Sequence, residues 1–459
     1  MPRLRLTLFL LFLIGSLLTP AHAAAAPHAD VSNDSVTLDF PNAATFSATL
    51  ESSAAITSVT LEYGNEQLTC GEVIAKAFPE FSPGNSVDVS WTWDMRQSGS
   101  LPPGASIWWR WRYADEAGSE FVSEMRTVTW LDDIHDWKTI SNEDIRLHYY
   151  GKSEDFARTM LEAGVEGLRR NEEQSGMTPD APIDIFVYPN YDDMRDAVLY
   201  EPAWTGGQAY SDFNIVIMGV SGSDAAWDKN TVIHELTHIL VGRSAFSCIG
   251  TRPGWLEEGL AMYSEGELDP SMQSMLDAAI RSNTLITLRS LNGGFSELPD
   301  KANLSYSQSY SVVKFLIETY GREEMADLLT ALRDAKPIDD ALLEVYGFDT
   351  DGLDAAWRES VGAAPLVVAQ ATALPTPTFV PTYVPISGIP LAVTPTPYVI
   401  PTSSFNQNDS QTDSPTRSGP PLAMTIALVC FCLVFLLIIG VIVLGFVVRR
   451  GNAQGGSNG

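Results

Sequence analysis

The sequence predicts an α+β protein built as an N-terminal all-β sandwich, a second domain mixing strands and helices, a proline-rich stalk and one transmembrane helix. Three observations carry this. Residues up to about 135 alternate apolar and polar side chains at the strand period. From about Trp137 that pattern gives way to short strands interleaved with longer helical segments. Near the C-terminus an apolar stretch without a charge runs from Leu422 to Val448, long enough for a bilayer.

The 459 residues, 45% hydrophobic and 19% charged, suffice for two or three domains. Acidic residues number 57 against 28 basic ones, and the formal charge of -29 repels phosphate backbones, which excludes nucleic acid as a partner. Four cysteines are too few for a disulfide framework. Cys430 and Cys432 fall in the apolar stretch, leaving Cys70 and Cys248 as candidates for one bridge between the sandwich and the next domain.

Arg3 and Arg5 precede an apolar run from Leu6 to Leu18, and Ala21-His22-Ala23 offers the small residues of a cleavage site. Residues 1–23 therefore read as a secretory signal, with an uncleaved anchor as the alternative. In the sandwich, 24–135, Val59, Leu61 and Tyr63 alternate with Thr60 and Glu62, and Val87, Val89, Trp91 and Trp93 alternate with Asp88, Ser90 and Thr92. Pro83-Gly84-Asn85, Pro102-Pro103-Gly104 and Ala117-Gly118-Ser119 supply the turns. Tryptophans at 91, 93, 108, 109, 111 and 130 read as core or as a carbohydrate platform; Trp108, Arg110 and Arg112 fall on the face opposite Trp109 and Trp111 and form the expected contact surface.

The second domain, 136–363, is expected to hold strands at 145–149, 183–187 and 213–220, a helix at 154–170, and helices thereafter to about Val361. The stalk, 364–419, is dense in proline, with Pro375-Thr376-Pro377 and Pro395-Thr396-Pro397 favouring extended polyproline II. Arg449 and Arg450 follow the expected span (422–448). They keep the tail 449–459 cytoplasmic, so the head is expected outside the cell membrane.

The chemistry sits where the helices begin. Thr231-Val232-Ile233-His234-Glu235-Leu236-Thr237-His238 contains His-Glu-x-x-His between helical flanks. One turn separates the two histidines, so both imidazoles leave one face and can share a tetrahedral metal such as Zn2+. Glu235 follows the first histidine, beside the metal rather than on it, where its carboxylate can accept a proton from water. A third ligand is available in Glu258, 20 positions after His238, on a helix opened by Pro253 and Gly254. Two histidines and one carboxylate leave a fourth position open, the pattern of a catalytic rather than a structural zinc site.

At these residues the sequence resembles the gluzincin (peptidase MA-like) zinc metallopeptidases, which include thermolysin and the aminopeptidase N group. His-Glu-Leu-Thr-His is similar to the thermolysin motif, and Trp255-Leu256-Glu257-Glu258-Gly259-Leu260-Ala261 to the aminopeptidase N segment that carries the third ligand. The resemblance spans about 137–361. It implies a thermolysin/gluzincin-like α+β catalytic domain, zinc on His234, His238 and Glu258, and protein or peptide substrates. It also implies an oxyanion-stabilising tyrosine, which Tyr306 in Tyr306-Ser307-Gln308-Ser309-Tyr310 would supply, with Tyr310 one turn away as the alternative. Glu257 and Glu265 read as solvated or structural, either being able to orient a histidine.

One departure bears on substrate choice. Where the aminopeptidase N group carries an acidic residue for the substrate's free amine, this chain has Gly206-Gly207-Gln208-Ala209-Tyr210. Gly206 and Gly207 let a substrate backbone approach closely, and the strand at 213–220 offers an edge for an extended peptide. The sequence therefore predicts an endopeptidase. Two other readings stay open: a cell-surface adhesion module with a non-catalytic metal site, and a zinc hydrolase of a non-peptide amide.

Overall fold

The computed structural model describes residues 30–98, 101–199, 206–220, 224–295 and 299–366. The expected signal, nearly all of the stalk, the expected span and the tail lie outside them. The described chain opens with β1 (Asp30–Asp39), β2 (Ala43–Asn65), β3 (Ala75–Ala77), β4 (Gly84–Asp94), a helical turn α1 (Met95–Ser98), β5 (Ser106–Asp115), β6 (Glu120–Val122) and β7 (Arg126–Thr129). These seven strands form one antiparallel sheet.

The expected sandwich of two sheets is corrected by that continuity. β2 is 23 residues long and serves both halves. Its first part pairs with β1 and β4, its second with β3 and β5, and register shifts between Glu51 and Ser58 mark the bend. The bend brings the ring of Phe46, from the first part, within 6.1 Å of Tyr63 in the second and 5.5 Å of Trp109 in β5. Side chains from the two halves of one sheet thus meet across the bend. Alternation along β5 buries Trp109 and Trp111, whose indole N–H groups donate to Asp34 Oδ1 at 2.9 and 3.1 Å, and leaves Trp108 on the other face.

The second domain contains β8 (Lys138–Ser141), β9 (Ile145–Tyr149), α2 (Glu154–Ser175), β10 (Ile183–Tyr188), α3 (Tyr191–Asp196), β11 (Gly207–Tyr210) and β12 (Ile215–Gly219). It continues as α4 (Ala225–Ser244), α5 (Gly254–Glu265), α6 (Pro270–Ser282), a 3-10 turn (Leu288–Leu291), α7 (Pro299–Tyr320), α8 (Arg322–Arg333), α9 (Ile338–Tyr346) and α10 (Thr350–Ser360). Its five strands run in the order β11-β12-β10-β9-β8, the inner pairs parallel and both outer pairs antiparallel. β10 is apolar at nearly every position because both faces are covered: Ile185 and Val187 join the helical core, while Phe186 and Tyr188 join the core of the seven-stranded sheet.

Two further expectations are revised. No helix among the described residues is long and apolar enough to cross a membrane, so the fold class they show is corrected to a β-rich domain followed by a helix-rich one. The strand expected at 213–220 begins at Ile215, because Asn214 takes a left-handed conformation (φ 60°) that ends the preceding turn. Both sides of that strand are occupied, by β11 and β10, and among the described strands β11 stands at the end of the sheet on that side. The Cys70–Cys248 disulfide is present, with Cα atoms 5.6 Å apart, and joins the segment after β2 to the segment after α4.

Candidate metal centre

Three helices build the site. α4 carries His234, Glu235 and His238; Asp224 caps it, its carboxylate accepting from the backbone N–H groups of Ala226 and Trp227. α5 starts at the Pro253-Gly254 break and carries Glu258. α7 carries Tyr306. α5 and α7 approach closely at Gly259, where a Cβ would stand 2.5 Å from the carbonyl oxygen of Ser309 and from Val313 Cγ2. Any larger residue there would push Glu258 and Tyr306 apart.

A buried polar network fixes the helices relative to one another. Asn171 on α2 donates to the Thr237 hydroxyl of α4 at 2.9 Å, and the Ser264 hydroxyl of α5 donates to Asn171 at 3.2 Å. Arg170 reaches the carbonyls of Ser264 and Glu265 at 2.9 and 2.7 Å, holding the end of α5. Sequence reasoning missed these residues. Only the placement of a threonine inside the His-Glu-x-x-His turn hinted at a partner.

The three expected ligands converge. The Nε2 atoms of His234 and His238 are 3.2 Å apart, and Glu258 Oε2 lies 3.5 and 3.4 Å from them. A tetrahedral zinc with ligand distances of about 2.0–2.1 Å needs ligand atoms about 3.3 Å apart, so the donor set fits that ion. Two further features agree. Glu258 Oε2 is buried without a hydrogen-bond partner, and its carboxyl is held well below the usual range: burial opposes ionisation, and the two histidines more than reverse this. Burial pushes the imidazoles down, but Glu258 and Glu265 raise His234 and Glu258 raises His238, so the pocket favours positive charge at its centre.

Glu265 accepts from His234 Nδ1 at 2.7 Å, which leaves Nε2 with a free lone pair facing Glu258 and His238. Of the two acids left open by the sequence, Glu265 is thus the one that orients a histidine. Glu257 pairs with Arg252 at 2.5 Å instead. Glu235 is 9% exposed, and burial raises its carboxyl above the ordinary value. Gly207 of β11 lies directly over it: a Cβ on Gly207 would stand 2.9 Å from Glu235 Cγ and Oε1. Gly206 is less constrained, its nearest neighbour being Tyr191 at 3.7 Å.

The tyrosines separate. The Tyr306 ring lies 6.5 Å from His234 and 5.1 Å from Phe295, and burial raises its hydroxyl, with Glu258 and Glu235 adding to the shift. Tyr310 turns to Glu267 and Lys314, each 3.4 Å from its hydroxyl.

A sequence model of the Peptidase MA superfamily matches residues 163–363, from the middle of α2 to just beyond α10. All three candidate ligands, Glu235 and Tyr306 fall within the matched residues. Similar solved structures include an M1 zinc metallopeptidase of Deinococcus radiodurans (12% identity, 78% of this chain and 96% of that one, TM-score 0.33). Others are Legionella pneumophila aminopeptidase A in complex with aspartic acid (9%, 72% and 50%, TM-score 0.32) and a bromine derivative of BhCBM56 (10%, 22% and 98%, TM-score 0.16). At such scores the likeness carries no argument about this chain. No curated protein matches the sequence.

Proposed function

We propose that the chain is a zinc-dependent endopeptidase whose metal is held by His234, His238 and Glu258. The observation that carries this is the convergence of those three donors beside a buried carboxylate, Glu235, under the edge strand β11 at Gly207. When bound, zinc supplies Lewis acidity that polarises a carbonyl and lowers the pKa of water. Glu235 accepts the proton of the attacking water and returns it to the leaving amine; its raised pKa suits both halves of that task. Tyr306, kept protonated by burial, donates to the developing oxyanion. β11 pairs with an extended substrate, and Gly207 keeps the path between that backbone and Glu235 clear.

The endopeptidase reading rests on β11. An aminopeptidase must hold a charged terminal ammonium, which is costly to bury without a carboxylate partner. Gly206 to Tyr210 contains no acid, Glu257 is engaged by Arg252, and Glu265 by His234. The Cys70–Cys248 disulfide supports work in an oxidising compartment, outside the cytoplasm. The test compares an N-acetylated peptide with its free-amine twin. Similar kcat/KM and internal cleavage products are expected; a strong preference for the free amine, with residues released singly from the N-terminus, overturns the reading.

A further inference from the structure

The β-rich domain carries a cleft that the peptidase chemistry does not use. At the end of the β2–β5 pair lies a cavity of about 490 Å³, within the roughly 300–1,000 Å³ of small-ligand sites. Tyr63, Trp93 and Trp108 form its aromatic walls, and Asn65, Gln67 and Glu72 bring polar groups to it.

The cleft is rigidly built. The Trp108 indole lies against the backbone of Gly64, where a Cβ would stand 2.8 Å from the ring, so only glycine seats the indole in this position. Tyr63 and Trp93 meet edge to face with centroids 5.1 Å apart. Beside them Arg110 is fixed by Glu62, which is 2% exposed and also engages Arg112 and Lys76. The wall segment after β2 is anchored at two points, by the Cys70–Cys248 disulfide and by the bond from Leu68 N–H to the Asp212 carbonyl at 2.8 Å. Aromatic side chains held in place around a cavity need no reorganisation before a ligand arrives.

The chemistry of the lining selects the ligand class. Flat aromatic faces bind apolar C–H surface, and side-chain amides donate and accept hydrogen bonds from the same group. A pyranose ring presents both demands at once, an apolar face and a rim of hydroxyls that each donate and accept. An anion is disfavoured, because Arg110 is already engaged by Glu62, Glu72 lies in the lining and the chain carries a net charge of -29. We propose that this cleft binds a neutral pyranose saccharide, carried either by a polysaccharide or by a glycosylated protein. The proposal is independent of the zinc site.

The test titrates the full chain with cellohexaose, chitohexaose, laminarihexaose, a mucin-type O-glycopeptide and a proline decapeptide, following tryptophan fluorescence and calorimetric heat. Saturable binding of at least one saccharide is expected, weakened about tenfold by Trp108→Ala through the lost stacking surface. The double variant Asn65→Ala/Gln67→Ala provides a second comparison that leaves the aromatic cluster intact, and it should weaken binding at least about threefold. Preference for the glycopeptide over the free hexasaccharides assigns the source to a glycosylated protein, and the reverse to a polysaccharide. The proposal is overturned if no saccharide binds at millimolar concentration, if both variants retain wild-type affinity, or if the proline peptide alone occupies the cleft.

Discussion

Gly207→Ala adds one methyl group, and the structure fixes where it goes. The new Cβ would stand 2.9 Å from Cγ and Oε1 of Glu235 and 3.1 Å from Thr231 Cγ2. Carbon atoms prefer about 3.5–4.0 Å, so the neighbours have to yield by about 0.6–1 Å. Thr231 is tied by its hydroxyl to the Trp227 carbonyl at 3.0 Å, and Glu235 is 9% exposed. Either the carboxylate or strand β11 moves, and both separate base from substrate. Misplacing a catalytic group by about 1 Å costs about 100-fold. We therefore expect kcat to fall about 100-fold, equivalent to about 2.7 kcal/mol of transition-state stabilisation. Zinc content should hold, because the displaced group is not a ligand, and the melting temperature should change little at a half-buried edge position. Steady-state kinetics on an internally quenched peptide, with metal analysis of the same sample, provide the measurement. Wild-type kcat in a zinc-loaded Gly207→Ala protein would refute the placement of the base beneath β11.

Glu265→Ala removes the acceptor of His234 Nδ1 and should weaken zinc binding about 10–100-fold in a chelator competition; unchanged affinity would mean that His234 is oriented by something else. Asp184 bears on acid stability. Burial pushes its carboxyl up, but hydrogen bonds from Arg146 at 2.7 and 2.6 Å and from His148 at 2.9 Å bring the net value below the usual range. Its folded pKa lies below the unfolded one, so its stabilisation is full at neutral pH and is lost as pH falls below about 4. Asp184→Asn should lower the melting temperature at pH 7 and flatten its decline in acid, and parallel acid limbs for the two proteins would contradict this.

The convergence of the three candidate ligands was legible because each depends on a local rule. His234 and His238 share a face through the helical period alone, and Pro253-Gly254 announces the helix that delivers Glu258. The separation of Trp109 and Trp111 from Trp108 followed in the same way from strand alternation. What was illegible depends on contacts between distant segments. Glu265 is 31 residues from His234 and no more conspicuous than Glu257, and nothing in the pattern pairs Asn171 with Thr237 and Ser264. The single sheet was hidden for a different reason: β2 runs on through Glu51-Ser52-Ser53, where the Ser52 hydroxyl donates to Asp115 at 2.7 Å, and that continuity involves a partner 63 residues away. Tyr306 and Tyr310 share a helical face to within one turn, so only packing against Phe295 or Glu267 distinguishes them.

The central claim is that His234, His238 and Glu258 hold zinc while Glu235 moves the proton. Paired measurement of zinc content and peptide cleavage in the wild type and in Glu235→Gln tests it most directly. Stoichiometric zinc in both proteins is predicted, with cleavage lost in the variant, because the amide leaves the three ligands untouched and cannot act as a base. Full cleavage by Glu235→Gln, or a wild-type protein that hydrolyses peptide without metal, would contradict it.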